Sequence, residues 1–158
     1  MQETLSKELS AGMFKFHESF GYDSAKRANL HLFPAVEEGE GAVIMYAAGN
    51  LLILKNLSSG EKTIIRSPAG SVGALAVNHD HSYFAIGGKG AKPPILVYSY
   101  PDLKCRNVLQ GGAENGFAHV EFSSDGKLLA SLSSTPDYML TLWNWKDQSI
   151  VLRCKERI

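Results

Sequence analysis

The sequence predicts an all-β fold: a partial β-propeller of four-stranded antiparallel blades, about two full blades plus part of another. Three observations carry this. From Ala42 onward the chain is a succession of short apolar runs broken by Gly, Pro, Asn, Asp and Ser, the pattern of strands joined by turns. No long stretch of helical period interrupts them. One segment also recurs after 45 positions, close to the length of one propeller blade.

Taken in order, residues 1–41 read as an irregular leader. Met1 to about Asn29 mixes Glu, Ser, Lys and Gly with Phe14, Phe16, Phe20 and Tyr22 in no sustained period, leaving room for one short helix and for an aromatic cluster that packs on a neighbouring surface. The polar, Gly-rich Glu37 to Gly41 marks the entry to the repeats, which occupy 42–158. Strands are expected at Val43 to Ala48, Leu51 to Leu57, Lys62 to Ser67, Val72 to Asn78, Tyr83 to Gly88, Ile95 to Tyr100, Cys105 to Gln110, Ala118 to Ser123, Leu128 to Ser133, Met139 to Trp145 and Ser149 to Cys154. Consecutive apolar residues such as Ile95-Leu96-Val97-Tyr98 imply a strand covered on both faces, as when sheets stack on sheets.

The repeat aligns Asp80 with Asp125, Phe84 with Leu129, Ala85 with Ala130, Ile95 with Leu140, Val97 with Leu142, Tyr98 with Trp143 and Tyr100 with Trp145, without a gap. An earlier copy is visible around Leu54-Lys55-Asn56-Leu57, whose Asn56 precedes Asn144 by close to two periods. Asp125-Gly126 supplies a tight turn, since Gly tolerates positive φ and Asp bonds nearby backbone. Small Ala130 and Ser131 leave room where blades crowd towards an axis. Trp143 ends an apolar strand, and its indole N–H requires a polar partner if buried.

Phe122-Ser123-Ser124-Asp125-Gly126-Lys127-Leu128-Leu129-Ala130-Ser131 and Leu140-Thr141-Leu142-Trp143-Asn144-Trp145 resemble the WD-repeat (WD40) family. The resemblance implies that Trp143 donates to a Ser or Thr of its own blade, within a network reaching a His and an Asp. The family's Gly-His pair is absent, and its Trp-Asp ending appears as Trp143-Asn144, Tyr98-Ser99 and Lys55-Asn56, so these are divergent blades. A narrower resemblance rests on Phe20-Gly21-Tyr22-Asp23-Ser24, Arg27 to His31, Ala48 to Leu52, Val97-Tyr98-Ser99-Tyr100-Pro101 and Thr135 to Lys146. Together they look like the amino-terminal WD region of the cilia- and flagella-associated WD-repeat proteins, in patches over roughly Phe20 to Lys155. This resemblance implies a structural protein of the axoneme of motile cilia and sperm flagella, part of a tether linking inner-arm dynein motor heads to doublet microtubules. Its implied partners are a paralogous WD-repeat tether subunit, inner-arm dynein and doublet microtubule proteins.

Composition narrows the classes. Sixteen Lys+Arg balance sixteen Asp+Glu over 158 residues, so no basic field draws nucleic acid or anionic lipid. The longest largely apolar run, Ala42 to Leu54, is broken by Gly49-Asn50 and is shorter than the about 20 residues of a membrane helix. Met1 to Ser10 lacks the apolar stretch of a secretory signal. Two cysteines, Cys105 and Cys154, form neither a disulfide framework nor a zinc pattern, which fits a reducing compartment. They are expected in outer strands, each thiol serving as a small hydrophobe.

No catalytic, cofactor-binding or metal residue is expected. His79-Asp80-His81 falls at a turn and reads as solvated histidines rather than ligands. Gly87-Gly88-Lys89-Gly90 lacks the spacing and following helix of a phosphate loop and reads as a flexible hairpin, and Gly111 to Gly116 as a connection between blades. A propeller hydrolase would need repeated acidic or His ligands from several blades, which are not seen. The expectation is a non-catalytic scaffold, against the alternative of a generic intracellular WD adaptor such as a ubiquitin-ligase substrate receptor or signalling scaffold. Closed propellers take about 4–8 blades, so a chain of this length is expected to be an open piece, whether isoform, fragment or excised segment. Uncovered blade faces around Ile53 and Leu152 should make the isolated chain self-associate or unfold in part at micromolar concentration.

Overall fold

A computed structural model describes residue 22 and residues 28–35 and 39–155. Among these, twelve strands run as β1 (Leu30–Phe33), β2 (Val43–Ala48), β3 (Leu51–Asn56), β4 (Lys62–Arg66), β5 (Ser71–Val77), β6 (Tyr83–Lys89), β7 (Ile95–Ser99), β8 (Cys105–Leu109), β9 (Phe117–Phe122), β10 (Leu128–Ser133), β11 (Met139–Asn144) and β12 (Ser149–Lys155). They form three antiparallel meanders, β1-β2-β3-β4, β5-β6-β7-β8 and β9-β10-β11-β12. The strands expected from Val43 onward agree with β2 to β12 within one residue at either end.

The first sheet needs a correction. The leader was expected to extend to residue 41, but Leu30–Phe33 pairs with β2, Leu30 opposite Tyr46 and Phe33 opposite Val43. Three complete four-stranded sheets therefore stand where two and a part were expected. The outward positions of β1 are Leu30 and Leu32 and its half-buried one is His31, so the sequence lacks the apolar-in, polar-out alternation that marks a half-buried strand. Asn29 lengthens the pairing with its side chain, which donates from Nδ2 to Ala47 O at 3.0 Å and accepts from Ala47 N at 2.9 Å. Apart from Tyr22 and Ala28, the expected helix and aromatic cluster of the leader lie outside the described residues.

Two apolar seams join the sheets in chain order. Phe33, Met45, Ala47, Leu52 and Leu54 of the first sheet meet Val72, Leu75, Phe84, Ile86, Leu96 and Tyr98 of the second. The opposite face of the second sheet, Ala74, Ala76, Ala85, Ile95, Val97 and Leu109, meets Phe117, Val120, Phe122, Leu129 and Trp143 of the third. This double cover explains why all five residues of β7 are buried. Phe33 binds the first seam by stacking on Tyr100 at 4.1 Å and meeting Phe84 edge-on at 6.5 Å.

Among the described residues no seam joins the first and third sheets, and the stack is open. Leu152 is 56% exposed, as expected of an end face. Ile53, expected to be exposed too, is fully buried. It lies in the centre of its sheet, between Tyr46 and Ile64, whose side chains flank it on the same face.

Candidate functional site

The sites expected from the repeat occupy two places: the ends of the third strand in each sheet, and the seam between the second and third sheets. At the strand ends one position does the same work three times. Asn56 Oδ1 accepts from the amides of Ser58 and Ser59 at 2.9 and 3.0 Å. Ser99 donates its hydroxyl to Asp102, and Asn144 Nδ2 donates to Asp147 Oδ2. Each closes the turn into the outer strand, the position at which the WD family carries Asp. A short polar side chain suffices because it needs only to reach backbone or a carboxylate two or three residues on.

The turns between first and second strands follow a parallel plan. Gly126 adopts φ 68° in the turn from β9 to β10, a conformation that favours glycine. Asp125 accepts from the Ser123 hydroxyl at 2.6 Å and from Lys127 N at 3.1 Å, which holds its carboxyl below the usual range. In the second sheet Asp80 accepts from Ser82 N at 2.9 Å and from Asn78 Nδ2 at 2.6 Å. Its carboxyl is likewise lowered, chiefly by the Ser82 hydroxyl. His79 is exposed in this turn. His81, expected to be solvated, instead packs edge-on against Phe33 at 5.9 Å, because the turn folds over the first seam.

Trp143 is buried to 1% exposure and donates through Nε1 to Ser131 Oγ at 2.8 Å. Ser131 Oγ in turn donates to Thr141 O at 3.5 Å, and among the described residues no histidine joins this chain of bonds, so the wider network implied by the WD resemblance ends on backbone. Tyr98, at the equivalent place in the second sheet, stacks on Phe84 at 5.3 Å, and burial pushes its phenol up from the ordinary value. Trp145 lies 5.0 Å from Tyr83, 5.8 Å from Phe122, and donates to Gly126 O at 2.9 Å. One indole thus ties two sheets and a turn together.

Gly87 and Gly88, expected in a flexible hairpin, are buried within β6. The reason is tertiary. A Cβ on Gly87 would stand 2.8 Å from Phe117 Cβ, and one on Gly73 would stand 2.5 Å from Phe117 O. These glycines let Phe117 reach the second sheet, and nothing in their local sequence announces it. The cysteines also differ in part from expectation: they lie in β8 and β12 as expected, but both are exposed rather than packed as small hydrophobes.

Among the described residues no group of three or more His, Cys, Asp or Glu stands close enough to hold a metal. A cleft of about 140 Å³ lies where Gly111 to Glu114 meet Asp137, Met139, Arg153 and Lys155. Its polar groups serve the fold: Glu114 N donates to Asp137 Oδ2 at 2.7 Å, and Arg153 Nη2 donates to Gly111 O at 2.5 Å.

Four-stranded meanders stacked face to face, repeated at one blade length and sharing strand-end turns, define an open run of β-propeller blades of the WD-repeat type. No protein-family model matches the chain. It is 39% identical over 140 residues to cilia- and flagella-associated protein 44 of Mus musculus, covering 88% of this chain and 7% of that protein. It is 32% identical over 158 residues to cilia- and flagella-associated protein 44 of Chlamydomonas reinhardtii, covering 96% of this chain and 9% of that protein. With cilia- and flagella-associated protein 43 of Mus musculus the identity is 37% over 113 residues, covering 72% of this chain and 7% of that protein. Over the aligned residues the chain belongs with the family of cilia- and flagella-associated proteins 44 and 43, and it spans less than a tenth of their length.

Proposed function

We infer that the chain is a non-catalytic structural element of the cilium or flagellum, whose blade faces and edges hold other axonemal proteins. The observation that carries this is the 39% identity over 88% of the chain to a relative named for its association with cilia and flagella. The folded architecture supports it: polar residues of the candidate sites bond to their own turns, and what remains for recognition is sheet surface. Extended to the whole assembly, the reading is a subunit of the tether between inner-arm dynein heads and doublet microtubules, beside a paralogous WD-repeat subunit. The test is to express the tagged protein in multiciliated cells and image it against an axonemal marker. Signal along the axoneme that survives detergent extraction is expected. Signal confined to the soluble cytoplasm would overturn the reading and favour a general WD adaptor.

A further inference from the structure

The outward face of the first sheet is covered more deeply than the described strands account for. Ile53, Leu96 and Thr141 each stand three residues before the strand-end positions Asn56, Ser99 and Asn144, so they are equivalent. Leu96 is buried by the first sheet, and Thr141, on the same face of its strand as Trp143, is buried against the second. Ile53 is buried as completely, yet it belongs to neither seam, and among the described residues no sheet precedes the first. Tyr46 and Ile64 flank it, but flanking alone does not bury such a position. Leu140 and Leu142, flanked by Leu132 and Cys154 and by Ala130 and Leu152 on the outward face of the third sheet, remain half-buried.

The cover has a boundary. Ile44, Tyr46 and Ile64, on the same face as Ile53, are half-buried, whereas Leu30 and Leu32 of β1 are more than half exposed. What lies here therefore crosses β2, β3 and β4 and leaves β1 bare. A preceding blade does not suit that face. Where the second and third sheets set Tyr98 and Trp143 against the sheet before them, the first carries Lys55, half-buried. An apolar seam would strip the Lys55 ammonium of water.

The chain ahead of β1 does suit it. The ring of Tyr22 meets that of Tyr46 edge-on at 6.3 Å, so this part of the chain already lies against the outward face. Residues 1–21 precede it, with Met13, Phe14, Phe16 and Phe20 among them, and with the carboxylates of Glu3, Glu8 and Glu18. At about 3.3 Å per extended residue they reach roughly 70 Å, several times the roughly 15 Å breadth of four strands. We propose that residues 1–21 fold back across β2, β3 and β4 and seal the outward face of the first sheet, so that the stack of blades begins with a cap from its own chain. Phe14, Phe16 and Phe20 supply apolar surface against Ile44, Ile53 and Ile64, and a carboxylate of the leader pairs with Lys55. While the cap is in place, this face is closed to partners.

The test is photo-cross-linking of the full 158-residue chain carrying Phe16→p-benzoylphenylalanine or Phe20→p-benzoylphenylalanine, irradiated as a mixture of light and heavy-isotope chains. Cross-links from the leader to residues 44–64 of the same chain are expected. Cross-links confined to the second or third sheet, products that join only light to heavy chains, or no cross-link to the first sheet would overturn the proposal. A second measurement removes the cap. Phe14→Ser, Phe16→Ser and Phe20→Ser together should speed hydrogen exchange of residues 51–56 and 62–66 by about tenfold or more, while residues 95–99 and 128–133 change by less than about twofold. Unchanged exchange in the first sheet, or equal acceleration in all three sheets, would place the leader elsewhere and sink the idea.

Discussion

The indole of Trp143 and the hydroxyl of Ser131 are bonded at 2.8 Å across adjacent strands, two register positions out of step: Trp143 lies opposite Leu129, and Ser131 opposite Thr141. The diagonal placement lets the ring lie over the seam while its only polar atom turns back into its own sheet. Trp143→Ala should cost about 3–5 kcal/mol of folding stability, the usual range for deleting a large buried aromatic. Ser131→Ala should cost about 1–3 kcal/mol, because it strands a buried donor. Urea unfolding of both single variants and the double variant checks this. Additive losses would show that the bond contributes nothing beyond packing.

How far this arrangement is legible in sequence depends on how local its causes are. The turns at Asp125-Gly126 and after Asn144 are set by residues within three positions of one another, and the strands between them by alternation, so both can be read directly. The Trp143 indole announces its need for a partner, but the choice of Ser131 follows only from strand register. β1 escapes notice because half of Leu30–Phe33 faces outward and Asn29 completes its pairing with a side chain. Gly73 and Gly87 are plain strand glycines until Phe117, some thirty or more positions on, is brought against them.

That close approach has a measurable consequence. Gly73→Ala sets a Cβ 2.5 Å from a backbone oxygen, which cannot swing aside as a side chain can. It should destabilise the chain by about 1–3 kcal/mol through forced separation of the second and third sheets. Ala118→Gly, at the equivalent position of the exposed face, should cost no more than about 1 kcal/mol, the entropic penalty of glycine in a strand. Thermal melts of the two variants compare them directly. Equal losses would mean that the seam is not close-packed at Gly73.

Acid should weaken the fold in two stages. His31 has a pKa below its ordinary value because burial outweighs its backbone hydrogen bonds. The folded state therefore holds it neutral, and its contribution is present above about pH 6.5 and lost as pH falls through the folded value. Asp80, Asp102 and Asp125 are also lowered, led in each case by a serine hydroxyl, from Ser82, Ser99 and Ser123. Their contribution is complete above about pH 3.9 and is lost as pH falls below it. The urea midpoint should decline gently below about pH 6.5 and again below about pH 4. His31→Asn should remove the first decline and leave the second. A midpoint that rises on acidification from neutral pH would contradict the direction of all four shifts.

The open end of the stack should exchange its amide hydrogens first. β7 is buried at all five positions, with a seam on each side, so its amides open only when both seams part. β12 is exposed at all seven positions and pairs within its sheet only with β11, across a register shift between Leu142 and Trp143, its one bond outside that sheet among the described residues being that from the exposed Arg153 to Gly111 O. Opening free energy in a native protein follows buried contact density, so releasing β12 costs a fraction of global unfolding. Hydrogen exchange followed by mass spectrometry, at a concentration low enough to keep the chain monomeric, should find residues 149–155 exchanging at least about tenfold faster than residues 95–99. Trp143→Ala removes the anchor of β11 and should speed β12 further, while β7 changes only by the loss in global stability. Protection of β12 equal to that of β7 would mean that the third sheet opens only with the rest, and that its outer strand is held by more than its single neighbour.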